Sequence, residues 1–293
     1  MKNDRDTDNP GNATPNANGG ACVNRTDVRL SVVITTRNEE ANIANCIRAF
    51  DAFRGDVEII VVDNASTDRT KAIAAECGAT VLDRGPERSA QRNLGWQTAR
   101  ADWVVVLDAD MILTEPLVRE ILDRIGRETF DAYWIPEVRT GGGLRVKARN
   151  FERGFYDGTC IDALRLFNRR VLKATGGYDE ALIAGPEDWD LDIRVLATGA
   201  KCAVLENPLL HNEKRLSLRR MLGKKAYYTK SMAAYQAKWP GHPAVRRQFS
   251  FAYRYFGVFL EHGKWKRLLR HPILAVVMYF ERVLVGVTYL LNR

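Results

Sequence analysis

The chain has 293 residues, 46% of them hydrophobic and 27% charged, with a net charge of +8. That composition and length suit one α/β domain with an appendage, and exclude a wholly disordered, collagen-like or multi-span membrane chain. Five cysteines, at 22, 46, 77, 160 and 202, are dispersed without CxxC spacing, which argues against a disulfide framework or zinc knuckle and suits a reducing compartment. The charge is uneven. From His211 onward 17 Lys and Arg face three Glu, a net +14, whereas residues 1–210 carry a net −6. A basic tail on an acidic body points to an anionic partner, with nucleic acid and the cytoplasmic membrane surface as the two usual candidates.

Residues 1–27 are rich in Asn, Asp, Gly, Thr and Pro and lack an apolar core of signal-peptide length, so they read as a disordered leader. The two Asn-x-Thr matches there, at Asn12 and Asn24, carry no weight without a secretion signal. Order is expected from Leu30. The apolar run Leu30–Thr35 predicts a buried strand, and Ile43, Cys46, Ile47 and Phe50 fall at helical spacing. Val57–Val62 predicts a second strand ending at Asp63, with Ser66-Thr-Asp as the cap of the next helix. Ala79–Leu82 reads as a third strand, Arg88–Ala99 as a helix and Trp103–Leu107 as a fourth strand ending at Asp108. This alternation, with crossovers long enough for parallel pairing, predicts a doubly wound α/β sheet.

The second half is less regular. Glu115–Ile125 reads as helix, Ala132–Pro136 as strand and Gly141–Gly143 as a flexible loop. Leu164–Asn168 reads as strand, Gly176–Asp179 as a turn, Trp189–Ala197 as helix and Ala203–Leu205 as a short strand, followed mostly by helix.

The sharpest chemical signal is Asp108-Ala-Asp110 at the end of an apolar strand. Side chains two apart in an extended chain point the same way, so two carboxylates converge at the C-terminal edge of the sheet, where open α/β sheets bind ligands. Apposed carboxylates repel unless a cation or proton lies between them, and oxygen ligands favour Mg²⁺ or Mn²⁺. The other strands also finish in polar residues: Thr35-Thr-Arg-Asn-Glu39 after the first and Asp63-Asn-Ala-Ser-Thr-Asp68 after the second. Between them and Asp108 lies Arg84–Asn93, whose arginines can neutralise phosphates. No GxGxxG occupies the first crossover, which disfavours a dehydrogenase. Further on, Gly185-Pro-Glu-Asp-Trp-Asp-Leu-Asp192 leads into a helix whose N-terminus favours ionised carboxylates, and such a group can take a proton from an attacking hydroxyl.

The segments Val32–Glu40, Val61–Asp68, Gly85–Asn93 and Asp108–Asp110 together resemble the successive motifs of family 2 glycosyltransferases of the GT-A fold, over about residues 30–210. The resemblance implies a mostly parallel doubly wound sheet, with a catalytic domain over 28–212 and a basic, apolar helical extension over 213–293. It implies a nucleotide pocket lined by Thr35, Arg37 and Glu39, with Asp63 on the base edge, Arg88 and Asn93 on the nucleotide and Asp108 near the ribose. Asp110 would be a direct ligand of Mn²⁺ or Mg²⁺, and His211 a further metal ligand near the diphosphate. The pair Glu187-Asp188 resembles the family's glutamate–aspartate motif, with Asp188 as base and Glu187 positioning the acceptor. The implied activity is metal-dependent, inverting transfer of a sugar from a nucleotide-diphosphate donor to a hydroxyl, in lipid-linked or surface glycan synthesis. A nucleotidyltransferase with a similar pocket is the rival enzyme, and a non-catalytic membrane or nucleic-acid binding protein is the rival outside enzymes.

The tail interleaves basic pairs with apolar residues and ends in the long apolar stretch His271–Leu291. That stretch is long enough to span a bilayer, but Glu281-Arg282 at its centre makes a clean span costly. An interfacial helix flanked by basic residues is therefore expected, with the protein peripheral on the inner face of the cell membrane. A helix packed on the domain or in a homo-oligomer contact is the alternative. Aromatic residues accompany the basic ones, but no nucleic-acid module is recognisable, so no nucleic-acid partner is expected.

Overall fold

The computed structural model describes residues 28–127, 129–183, 185–212 and 231–291, with side chains as far as 284. The leader at 1–27 and the basic run 213–230 lie outside the described residues.

Strand β1 (Leu30–Thr36) is buried along its whole length, as a continuous apolar strand covered on both faces must be. It pairs in parallel with β2 (Val57–Asp63) on one side and β4 (Trp103–Asp108) on the other. β3 (Thr80–Asp83) adds in parallel to β2. Beyond β4 the direction changes: β8 (Leu164–Asn168) runs antiparallel to β4, β6 (Ala132–Trp134) antiparallel to β8, and β9 (Cys202–Val204) parallel to β6. The seven-stranded order is β3-β2-β1-β4-β8-β6-β9. A second sheet of three short strands, β5 (Met111–Ile112), β10 (Leu209–His211) and β7 (Glu137–Arg139), lies in the order β5-β10-β7. The strand read over 132–136 stops at Trp134, and a separate strand, β7, follows from Glu137, with Pro136, which has no N–H to donate, between them.

Alternation along β1 sorts the core into two layers. Leu30, Val32 and Ile34 pack with helices α1 (Ile43–Arg48) and α4 (Glu115–Arg127). Val33 packs on the opposite face with Trp96 of α3 (Arg88–Thr98), Leu172 of α6 (Arg169–Thr175) and Leu191 of α7 (Glu187–Ala197). Helix α2 (Thr70–Glu76) covers β3, but Ser66 does not cap it. Ser66 instead donates to Asp63, and Asp68 accepts the N–H of Thr70 at 3.0 Å.

Helix α5 (Leu144–Arg153), directly after the three glycines read as a loop, is not foreshadowed in the sequence. Its Phe151 is buried with nearby Phe155 and with Val258, Phe259 and Met278, partners more than 100 residues away. Those partners belong to the C-terminal helices: 231–238 (α8), Pro243–Phe249 (α9), Val258–Leu260 (α10, after a π-helical turn at Tyr253–Gly257), Trp265–Arg270 (α11) and Pro272–Leu291 (α12). Helices α8 and α9 bury Tyr235 and Val245 against Ile193 of α7 and against Leu182, which precedes that helix. Trp239 Nε1 donates to Asp190 Oδ1 at 2.8 Å on the same helix. Glu281 does not face open surface: it pairs with Arg145 at 3.1 Å and Arg149 at 3.4 Å on α5. Arg282 pairs with Glu152 and bonds the Tyr156 hydroxyl at 2.8 Å. Among the described residues no helix is long and apolar enough to cross a membrane.

Gly95 sets the approach of α3 to the sheet. A Cβ there would lie 2.2 Å from Val33 Cγ1, inside a fully buried side chain. Gly95→Ala gains helix propensity of about 1 kcal/mol, but overpacking costs about 1–3 kcal/mol, and rigid, β-branched Val33 leaves little room to yield. Thermal unfolding should show a lower midpoint for Gly95→Ala, partly restored by adding Val33→Ala. An unchanged or raised midpoint would contradict the close packing.

Candidate active site

Register brings the strand ends together: Thr36 lies beside Asp63, and Thr35 beside Asp108. The loops that follow β1 and β2 brace each other. Asn38 N–H donates to Ser66 Oγ at 2.8 Å, and Asn38 Oδ1 accepts from Thr67 N–H at 2.8 Å. Asn38 and Ala65 hold φ of 54° and 49° in these loops. The left-handed region is costly for alanine, and such strain gathers where a backbone shape serves a site.

Asp108 is the hub of the pocket. Thr35 Oγ1 donates to its Oδ1 at 2.9 Å, Arg88 Nη1 lies 3.4 Å from Oδ2, and Arg92 Nη2 lies 3.4 Å from Oδ1. Burial alone would raise the pKa of this carboxyl, but the guanidinium of Arg88, then those of Arg92 and Arg165, hold it well below the usual carboxylate range. Arg92 carries the network across the site. It is 1% exposed, and its Nη1 lies 2.6 Å from Asp188 Oδ1 and 3.5 Å from Glu187 Oε1. Its guanidinium also stacks 5.1 Å from the Tyr178 ring centroid. Glu187 is buried in the first turn of α7, where burial and the charge of Asp188 raise its pKa against the pull of Arg92. Its Oε2 accepts the N–H of Gly185, which fixes the turn entering the helix.

A second cluster lies beside the first. Asp110 follows β4, His211 ends β10, and His211 Nε2 is 3.4 Å from Asp110 Oδ2. On the other side of the ring, Nδ1 is 3.8 Å from Glu137 Oε2. Glu137 is in turn gripped by Arg165, with Nη2 at 2.8 Å. Burial opposes protonation of His211, but hydrogen bonds to Asp110 and Glu137 push its pKa up to about 9. Among the described residues no group of three or more His, Cys, Asp or Glu side chains is placed to hold a metal ion alone. Asp110 and His211 do converge as one oxygen and one nitrogen donor. Such a pair would suit a divalent cation such as Mn²⁺ or Mg²⁺, with His211 as the neutral imidazole.

The remaining expected residues fall unevenly. Asp63 is buried at the end of β2, and both its oxygens accept from Ser66, through N–H at 2.7 Å and through the hydroxyl. Glu39 Oε2 accepts from Asn42 Nδ2 at 2.7 Å, and Arg37 lies exposed at the rim. Asn93 is placed otherwise than expected. Its amide donates to the Tyr178 carbonyl and to Glu180, both at 2.9 Å, and its oxygen accepts from Tyr178 N–H and Trp96 Nε1. It therefore docks α3 on the Gly177-Tyr178 turn and has no spare amide hydrogen for a nucleotide. Arg92, Arg165 and Glu137 were not singled out individually from the sequence. The faint signal for Arg92 is its place one helical turn after Arg88, on the face of α3 that carries Ser89 and Trp96.

A doubly wound sheet whose strand ends carry this carboxylate–arginine array is a GT-A-type fold. The model for "Glycosyl transferase family 2" matches residues 31–176, and the chain belongs to that family. An uncharacterized glycosyltransferase of Rickettsia typhi is 31% identical over 144 residues, covering 48% of this chain and 47% of the relative. An undecaprenyl-phosphate 4-deoxy-4-formamido-L-arabinose transferase of Aeromonas hydrophila is 30% identical over 167 residues, covering 53% and 47%. The chain thus spans about half the length of these curated relatives. Among solved structures, a mannosyltransferase from Pyrobaculum calidifontis in complex with GDP-Man and Mn²⁺ shares the fold, with a TM-score of 0.59 and 18% identity. That match covers 87% of this chain and 80% of the mannosyltransferase.

Two outcomes test the geometry. Arg92→Met strands the facing carboxylates without their counter-charge and should destabilise the fold by about 3–5 kcal/mol in urea unfolding. Stability within error of the parent would show that the bridge is dispensable. Asp110→Asn and His211→Ala should each weaken Mn²⁺-dependent binding of UDP or GDP by about tenfold or more in calorimetry. Unchanged metal dependence in either variant removes that residue from the metal site.

Proposed function

We propose that the chain is a metal-dependent, inverting hexosyltransferase that moves a sugar from a nucleotide-diphosphate donor to a hydroxyl. The observation that carries this reading is the Arg92 bridge, which joins the nucleotide-side carboxylate Asp108 to Asp188 at the opposite wall. Family membership and the donor-bound solved relative support it. Thr35, Arg37 and Glu39 line the nucleotide site in this reading, with Asp63 toward the base, Asp108 toward the ribose and Arg88 toward the phosphates. A divalent cation held by Asp110 and His211 would supply charge neutralisation at the diphosphate when bound.

Asp188 is the base. Arg92 engages its Oδ1, and Oδ2 takes the proton of the acceptor hydroxyl as that oxygen attacks the sugar's anomeric carbon. The bond from the anomeric carbon to the diphosphate oxygen breaks, and its electron pair leaves on the diphosphate. One displacement inverts the anomeric centre. Arg88 and buried Arg92 provide positive charge on the side where negative charge develops, in a site prepared before the donor arrives. Glu187, beside Asp188, positions the acceptor.

The relative from A. hydrophila carries the lipid undecaprenyl-phosphate in its name, and the tail here is strongly basic. Both support a lipid-linked or surface-glycan acceptor, met at the inner face of the cell membrane. Asp188→Asn should keep donor affinity while turnover falls by about 10²–10⁴. Paired measurements of donor binding and single-turnover rate check this. A folded variant with parental turnover would assign the proton to another group.

A further inference from the structure

Helix α12 has two unlike faces. Met278 is buried, and Leu274, Ala275 and Tyr279 pack with it against Phe151 and Phe155. Glu281 and Arg282 share that inward side through their partners on α5 and Tyr156. The charged pair that makes a bilayer span costly is therefore neutralised within the protein. The outward stripe is left without charge: Ile273, Val276, Phe280 and Val283 are 71%, 69%, 63% and 56% exposed. Their spacing of three, four and three residues places them on one helix face. Leu269 and Trp265 of α11 are exposed next in the chain, and so are the basic residues Lys266 and Arg270. Phe256, also exposed, lies 6.5 Å from the Tyr279 ring.

We propose that the outward face of α12, with α11, is a docking surface for an anionic lipid bilayer, lying in the leaflet's interface and not crossing it. The occupant is chosen by charge. Two copies meeting through this face would bring together two segments of net +14, whereas an anionic leaflet attracts that charge and accepts the apolar stripe. Trp265 suits the boundary, where an amphipathic ring keeps one end wet. The surface also connects to the candidate site. Helix α12 packs on α5, whose Asn150 bonds both the N–H and the carbonyl of Arg139 in β7. β7 pairs with β10, which carries His211. This deepens the lipid-linked acceptor reading and rests on it for the direction of delivery, while the docking face has its own measurement.

The full chain is sedimented with vesicles of phosphatidylcholine alone or mixed with phosphatidylglycerol, at low salt and at about 0.5 M salt, where charge attraction is screened to a few ångströms. A Val276→Ser/Phe280→Ser variant, altered at two exposed positions without a charge change, is compared after circular dichroism confirms its fold. The parent should bind the anionic vesicles and keep part of that binding at high salt. The variant should lose the salt-resistant part by about tenfold or more. Binding of UDP and GDP with Mn²⁺, measured alongside by calorimetry, should be equal in both proteins. Vesicle binding without nucleotide binding in the parent supports the surface and sinks the catalytic reading; nucleotide binding without vesicle binding does the reverse. A double-serine variant that sediments like the parent overturns the proposal. So does a parent dimer, in analytical ultracentrifugation, that this variant dissociates.

Discussion

A guanidinium buried to 1% exposure must be matched by charge, and Arg92 is matched from both sides of the cleft. Asp108 comes from the end of β4, and Asp188 and Glu187 from the first turn of α7. An isolated buried cation costs several kcal/mol, and so would these carboxylates facing one another without it. Each element is thus held where the others need it. Tyr178 stacks on the same guanidinium, and Asn93, one residue on, fastens the turn that carries Tyr178. Among the described residues Arg92 Nε has no hydrogen-bond partner, so the pairing rests on the two Nη groups. The outcome is a polar site whose charges are arranged before any ligand binds, the condition under which fixed charges act on a reacting group without reorganising.

Much of the sheet was legible in the sequence because β1, β2 and β4 are continuous apolar runs that end in polar residues, and parallel register then aligns those ends. The same logic places Thr35, Asp63 and Asp108 along one edge. It found Asp110 by its spacing from Asp108. Arg92 was less legible, since its burial depends on carboxylates 16 and 96 residues away, and nothing local separates it from the exposed Arg84 and Arg100 on either side of the helix. Asn93 shows the opposite failure. It sits in the arginine-rich segment 84–93, but its amide turns into the core because Gly177 brings the Tyr178 backbone against it. Glu137 and Arg165 likewise acquire meaning through pairing between distant strands.

The C-terminal helices show what local pattern cannot settle. Glu281-Arg282 in an apolar stretch reads as a cost for any helix placed in lipid, but the cost depends on which way the pair faces. Here it faces α5, itself a helix with a thin apolar stripe that is completed by α12. Neither helix is convincing alone, and each supplies the other's missing face. At the other contact, Trp239 and Lys238 reach Asp190, one turn along from Glu187, so the tail also buttresses the helix that presents Asp188 to Arg92.

The central claim is that this edge of the sheet breaks the bond between a sugar and a diphosphate. Phosphorus NMR of the full chain with a panel of nucleotide sugars and Mn²⁺ tests that claim most directly, with candidate acceptors present and absent. The account predicts that the resonances of the nucleotide sugar are replaced by those of the free nucleoside diphosphate, and that Asp188→Asn slows the replacement. Release of inorganic pyrophosphate or nucleoside monophosphate in its place would assign cleavage to a phosphoryl bond and contradict the account.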